Sequence, residues 1–307
     1  THTAFELSDA FDALGAQVNA FTGKDLTCYY SKATSDHAAE AFALLADLFL
    51  NASFPEEEMT REKGVVLEEI HMDEDTPEDL CLDLLARASF GSGNYGRNIL
   101  GPAANVERFT REDLFAYRRE RYCPENIVLS FAGNIAPAEA VGLAERYFGG
   151  MARTRFSDRK KEVRQGAGCL FRKKPIEQAH FAIGFPSVAR EDRLRPAVQV
   201  MNTVLGGGMS SRLFKKVREE LGLAYSVYSY CTHYAEAGLL TVYAGVNPAK
   251  AEDAFGAVRD VIGAFCREGV TEEEFSRGRE QVKSGSIFSQ ENTSSQMLLY
   301  GKEMLYN

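Results

Sequence analysis

Apolar residues along this chain alternate between two periods, and the alternation predicts a mixed α+β fold. Phe5, Leu7, Phe11 and Leu14 recur near helical spacing until Gly15 stops the run. Residues 18–22 and 26–33 are β-rich runs, and Gly23-Lys24-Asp25 between them predicts a hairpin turn. Ser35 is placed to cap a helix over 36–50, Pro55 to open a long acidic helix to about residue 74, and Pro77 to open another over 78–88. A glycine- and asparagine-rich loop covers 91–101. Thr110 caps a helix to about residue 122, residues 127–132 read as a short apolar strand, and 137–148 as a helix.

The second half repeats the mixture. Strands are expected over 169–172 and 180–185, helices over 193–205 and 212–221, and a hairpin over 225–234 and 238–246. A helix over 248–267 follows, and Thr271 caps a last long one. Glu40-Ala41-Phe42 with Asp47 is echoed by Asp253-Ala254-Phe255 with Asp260, and the stretch from Pro55 to Arg61 by the stretch from Thr271 to Arg277. The order hairpin, helix, acidic-capped helix thus occurs twice, about 215 residues apart, and predicts two halves of similar topology, each a mainly antiparallel sheet covered by helices. Residues 1–150 and 169–307 are read as the two halves. The basic, aperiodic stretch 151–168 is read as a solvated linker, with a basic docking patch as the alternative.

Charge and composition narrow the function classes. A net charge of -9 argues against a nucleic-acid binder. No apolar run approaches the length of a membrane span. The six cysteines form no C-x-x-C pair and read as reduced thiols of a cytoplasmic protein. Gly206-Gly207-Gly208-Met209-Ser210-Ser211 lacks the ending of a phosphate loop and reads as a helix stop followed by a cap, which disfavours a nucleotide-binding protein.

The acidic helix carries the chemistry. Glu62 and Glu69 are seven residues apart, so two helical turns bring both carboxylates to one side, beside Val66 and Ile70. A metal ligand backed by a supporting carboxylate has this spacing, and so has a solvated acidic face. His71 stands on the wrong side to join Glu69 and reads as a solvated helix residue.

Asn19-Ala20-Phe21-Thr22, Tyr29-Tyr30 and the run from Arg61 to Glu69 closely resemble the N-terminal half of the pitrilysin/insulinase (inverted-zincin) peptidases. So do Asp75-Thr76-Pro77-Glu78-Asp79, Thr110-Arg111-Glu112-Asp113-Leu114, Tyr122-Cys123-Pro124-Glu125-Asn126 and Ala132-Gly133-Asn134, in the manner of the small bacterial, processing-peptidase-like members. Ser211-Arg212-Leu213-Phe214 and the run from Arg218 to Val227 resemble the family's C-terminal domain.

The resemblance implies a zinc metalloendopeptidase acting on peptides or unfolded polypeptides in a cleft between two halves, as a homo- or heterodimer in the bacterial cytoplasm. Glu69 matches the family's glutamate zinc ligand and Glu62 its supporting glutamate. Asn19 and Ala20 match the edge strand to which a peptide adds, and Arg218 and Tyr225 match an arginine and a tyrosine aimed at substrate. The family's H-x-x-E-H, with its two zinc histidines and general-base glutamate, falls by this register roughly eight residues before Thr1. None of the five histidines forms that motif. Thr1 stands two residues before one helical pattern and residues 303–307 end within or just after another, so both ends read as cut, and this chain is expected neither to cleave peptides nor to hold zinc tightly. A catalytically silent scaffold or partner subunit of the same fold is the alternative. Gly278 and Gly285 stand at the echo positions of Glu62 and Glu69, so the second half is expected to carry no equivalent ligand.

Overall fold

The computed structural model describes residues 2–153 and 163–306. Helix α1 (Ala4–Ala13) leads into strands β1 (Gln17–Thr22) and β2 (Thr27–Lys32), a 3₁₀ turn (Ser35–His37), and helices α2 (Ala38–Leu50), α3 (Glu56–Asp75) and α4 (Pro77–Phe90). A second 3₁₀ turn (Asn94–Gly96) precedes α5 (Ala103–Arg108) and α6 (Arg111–Arg121), and a third (Pro124–Asn126) precedes α7 (Pro137–Phe148). Strand β3 (Ala179–Ser187), α8 (Arg195–Leu205), a π-helical segment (Phe214–Glu220), β4 (Ala224–His233) and β5 (Gly238–Val246) follow. After a turn at Pro248–Lys250 come α9 (Ala251–Glu268), α10 (Glu272–Gln290) and α11 (Thr293–Tyr306). The chain folds as two compact units, each discontinuous in sequence: Thr1–Leu67 with Pro102–Lys160 and Phe288–Asn307, and Glu68–Gly101 with Lys161–Ile287. The expected linker 151–168 falls for residues 154–162 outside the described residues.

In the first unit, β1 and β2 form a two-stranded antiparallel sheet, closed by a bond from the Gly23 amide to the Leu26 carbonyl at 2.8 Å. Its core has one small cluster in which Ala16 and Ala41 pack about the Phe11 ring. A larger share is aromatic: Phe42 lies 4.9 Å from Phe131, Phe49 stacks on Tyr122 at 4.9 Å, and the Tyr29 and Tyr122 hydroxyls share a 2.8 Å hydrogen bond. Aromatic pairs of this kind add about 1 kcal/mol each beyond the area they bury. Residues 127–132 were expected as a strand, but they take part in no ladder. The segment is extended and held by packing, through Phe131 against Phe42 and a bond from the Ser130 hydroxyl to the Met297 carbonyl at 2.8 Å.

In the second unit, β5 is the centre of a three-stranded antiparallel sheet ordered β3-β5-β4. Val242, Ala244 and Val246 on β5 are fully or almost fully buried, packing with Leu213, Val217, Ala254 and Val258 in one continuous core. Each such side chain contributes roughly 1.5–3 kcal/mol by leaving water. α4 is tied to this sheet by polar contacts: the Tyr228 hydroxyl donates to Glu78, and His180 Nδ1 bonds the Tyr243 hydroxyl at 2.7 Å. Burial holds His180 below the ordinary histidine range. The expected strand 169–172 does not form: Leu170 and Phe171 are exposed, and no strand pairs with the segment among the described residues.

The internal echo holds in three dimensions. Each hairpin closes through a four-residue turn, with Tyr234 donating to Ala237 at 2.8 Å as Gly23 does to Leu26. A single 3₁₀ turn then opens each following helix, α2 and α9. The next helices, α3 and α10, each begin with three consecutive glutamates, and each first turn is closed by a 2.9 Å bond, to Pro55 and to Thr271 respectively. Thr271 and Glu274 cap one another as expected, whereas Ser35 enters the 3₁₀ turn instead of capping α2. All six cysteines are free thiols. No helix of the described residues is long and apolar enough to cross a membrane.

Candidate functional site

Helix α3 starts from a strained corner. Phe54 holds φ at 46°, a left-handed conformation costly for a residue with a side chain. α6 pins it there: Arg111 donates from Nε to the Phe54 carbonyl and from Nη2 to the Ser53 carbonyl, both at 2.9 Å. Its guanidinium lies over Phe115, 4.9 Å from the ring centre, and Phe115 meets Phe54 edge-on at 5.3 Å. Lys63 adds a bond to the Glu107 carbonyl at 2.9 Å. The direction of α3 is therefore fixed within the first unit, from its first turn.

The acidic residues of α3 then sort into two sets. Glu57 and Glu58 both accept from Arg61, at 2.6 and 2.7 Å, and Glu68 lies 3.9 Å from His71. Glu62 and Glu69 are exposed, and neither has a hydrogen-bond or ion-pair partner among the described residues. Seven residues bring both to one side of the helix, and Glu68 lies about 100° away around it. Val66 is half-buried and Ile70 buried beside them. His71 is exposed, as its position on the helix predicted. Among the described residues no three His, Cys, Asp or Glu side chains converge to hold a metal. The residues present thus do not make a zinc site by themselves, since Glu69 offers one carboxylate where a catalytic zinc takes three protein ligands.

Asn19 and Ala20 are both exposed, on opposite faces of β1. The turn closes through Gly23, so alternation along an antiparallel ladder directs the backbone of Asn19 toward β2 and that of Ala20 outward. No further strand pairs with β1 among the described residues. The Ala20 amide donates instead to the side-chain oxygen of Asn19 at 2.7 Å. Asn19 thus shields an edge amide that a bare strand would present to a peptide.

Arg218 and Tyr225 come together in the second unit. The Arg218 guanidinium sits between two rings, 4.7 Å from the centre of Phe214 and 4.8 Å from that of Tyr225. Two backbone irregularities place them. Arg218 lies on the π-helical segment, whose Val217 is wholly buried, and Gly222 at φ 57° turns the chain back into β4. The ladder between β4 and β5 then slips between Ala224 and Ser226, and Tyr225 at the slip is 78% exposed. The pairing of these two side chains, and the part of Phe214 in it, were not anticipated. An i,i+4 aromatic–arginine pair before a strand was the available signal.

Comparison with known proteins identifies the family. Residues 1–103 match the family described as insulinase (peptidase family M16), and residues 108–282 match the peptidase M16 inactive domain. The chain is 39% identical to the uncharacterized zinc protease YmxG of Bacillus subtilis, over 99% of this chain and 74% of that protein. It is 36% identical to an uncharacterized zinc protease of Streptomyces coelicolor, over 99% of this chain and 68% of that one. In fold it is similar to a peptidase M16 inactive domain from Pseudomonas fluorescens, with a TM-score of 0.89 at 22% identity, covering 100% of this chain and 74% of that one. A protease from Helicobacter pylori gives a TM-score of 0.91 at 19% identity, covering 98% of this chain and 75% of that one. With its two domain matches in this order, and relatives matched along almost its whole length, the chain belongs to the insulinase family, peptidase family M16.

Proposed function

We propose that this chain is the part of a zinc-dependent endopeptidase that supplies one metal ligand and the peptide contacts, and that it is inactive without an H-x-x-E-H. The observation that carries this reading is the division of the α3 carboxylates, in which the neighbours are paired and Glu62 and Glu69 are left free. Glu69 is the metal ligand and Glu62 supports it. The edge of β1 at Asn19 and Ala20 takes the peptide backbone, and Asn19 releases the Ala20 amide when a peptide arrives. Arg218 and Tyr225 contact the substrate from the exposed end of β4. The relatives named as zinc proteases support the choice of metal.

Two measurements test the reading. This chain should show neither chelator-sensitive peptide turnover nor stoichiometric zinc. In a longer form that carries the H-x-x-E-H, Glu69→Gln should abolish both zinc retention and turnover, Glu62→Gln should weaken them by about 10–100-fold, and Glu68→Gln should leave them unchanged. If none of the three loses zinc, the helix is only a solvated face. The scaffold reading then stands, favoured by the single carboxylate that this span offers.

A further inference from the structure

A groove of about 520 Å³ opens in the second unit between α8, β4 and α10. The duplication gives it meaning. Asn19 and Ala20 stand three and two residues before the end of β1 at Thr22. Tyr230 and Cys231 stand three and two residues before the end of β4 at His233, and all three of these residues line the groove. β4, like β1, is an outer strand of its sheet. The groove therefore flanks, in the second half, the strand that corresponds to β1.

Gly278 and Gly285 replace Glu62 and Glu69, and no carboxylate lines the groove. Its one permanent charge is Arg195, in a chain with 44 acidic and 35 basic residues. Arg195 gives one donor to the Arg190 carbonyl at 3.0 Å and has no ion-pair partner among the described residues, which leaves the rest of its five-donor fork unused there. His233 Nδ1 lies 2.8 Å from the Val188 carbonyl, which can only accept, so Nδ1 holds a proton. Its Nε2 is buried without a hydrogen-bond partner. Gln199 and Asn202 add neutral amides from α8, and burial raises the Cys231 thiol, keeping it uncharged.

We propose that this groove binds the carboxylate of a peptide, with Arg195 as the anchoring cation. A guanidinium fork matches a carboxylate in two-bond geometry, and an unpaired, partly enclosed one favours such a ligand over a neutral one. The site goes beyond the peptidase reading, and it is tested without turnover, so the failure of either leaves the other standing.

The test is fluorescence anisotropy of a labelled Gly/Ala pentapeptide with a free C-terminal carboxylate, set against the same peptide as its C-terminal amide. The carboxylate form should bind at least tenfold more tightly. Arg195→Met should erase that difference, and Gln199→Glu, which puts a carboxylate four residues from Arg195 on α8 to repel the ligand's and compete for the guanidinium, should do the same. Ala20→Pro removes the outward amide of the first edge, so any binding there falls alike for acid and amide, and the difference between the two forms should persist. Thermal unfolding of each variant shows that it folds, and Gln199→Glu decides the matter if Arg195→Met does not. Equal binding of acid and amide, no binding at all, or loss of the acid–amide difference in Ala20→Pro with its retention in Arg195→Met and Gln199→Glu would overturn the proposal. So would free acetate competing at the concentration at which the peptide binds, since the groove would then take a small carboxylate only.

Discussion

The two hairpins of this chain share a turn but are used in opposite ways. β1 and β2 form a pair by themselves, and β1 keeps four of its six residues exposed. β5 is flanked on both sides and has eight of its nine residues buried. The following helices diverge in the same manner, since α3 leaves Glu62 and Glu69 free where α10 carries glycines. A duplicated frame thus separates two demands that conflict in one place. Burying a strand on both faces stabilises, whereas keeping an edge and two like charges open for ligands does not. The second copy carries more of the aliphatic core, and the first is left free to present its edge.

Truncations in the two copies should therefore differ most. Leu213 is 0% exposed at the centre of the second core, and Leu213→Ala should cost about 3–5 kcal/mol. Val18 on β1 is only half-buried, and Val18→Ala should cost about 1 kcal/mol. Urea unfolding followed by hydrogen exchange in each unit reads both values, and equal costs would mean that the two sheets are equally buried in solution. Next in size is Arg111→Ala. It removes two charged donors from a strained corner, and about 2 kcal/mol of stability should go with them. Amides of the first α3 turn should exchange faster in that variant while those of α10 do not change.

Much of this frame was legible in the sequence. Glycine, proline and threonine signals marked both hairpins and the starts of α3, α4, α6 and α7, because local backbone chemistry decides those points. Thr110 was read as a cap, and it closes a reciprocal box with Asp113. Pairing between distant residues was less legible. Residues 127–132 have the composition of a strand, but whether an extended segment finds a ladder depends on what lies beside it. The seven-residue spacing brought Glu62 and Glu69 to notice, yet only the coordinates show that Arg61 and His71 engage the other acids and leave these two free. The contact between Arg218 and Tyr225 depends on a π-helical segment and a register slip, and neither leaves a periodic trace.

The entry of α10 offers a pH-dependent contrast with α3. Arg212 holds Glu274 through two bonds, at 2.7 and 2.6 Å, and with the Thr271 cap it brings the carboxyl down to about 2. The folded value lies below the unfolded one near 4.5, so the stabilisation is complete above pH 4.5 and is lost as pH falls toward 2. Glu274→Gln should lower stability by about 2 kcal/mol at pH 7 and by progressively less below pH 4.5. Glu57→Gln, in the exposed first turn of α3, should change neither stability nor its pH profile measurably. Denaturation midpoints at pH 7, 4 and 3 give the comparison, and a constant deficit for Glu274→Gln would remove the carboxylate from the account.

The smallest effects separate the two glycines that stand where the first half has glutamates. Both lie inside α10, where alanine is the better helix former by about 1 kcal/mol. At Gly285 an added Cβ meets nothing within 4 Å, so Gly285→Ala should simply gain about 0.5–1 kcal/mol by restricting the unfolded chain. At Gly278 the same atom would lie 3.2 Å from Val204 Cγ2, 3.3 Å from Val200 Cγ1 and 3.4 Å from the Val200 carbonyl oxygen. Val204 is buried, so α8 has little room to give, and the overpacking should outweigh the helical gain and leave Gly278→Ala about 1 kcal/mol less stable. Opposite shifts in melting temperature would show that Gly278 is kept so that α10 can approach α8, whereas Gly285 answers to no packing need. If Gly278→Ala also stabilises, close packing does not explain the glycine. The missing carboxylates of the second half would then be a matter of charge at both positions, as the Arg195 groove requires of its surroundings.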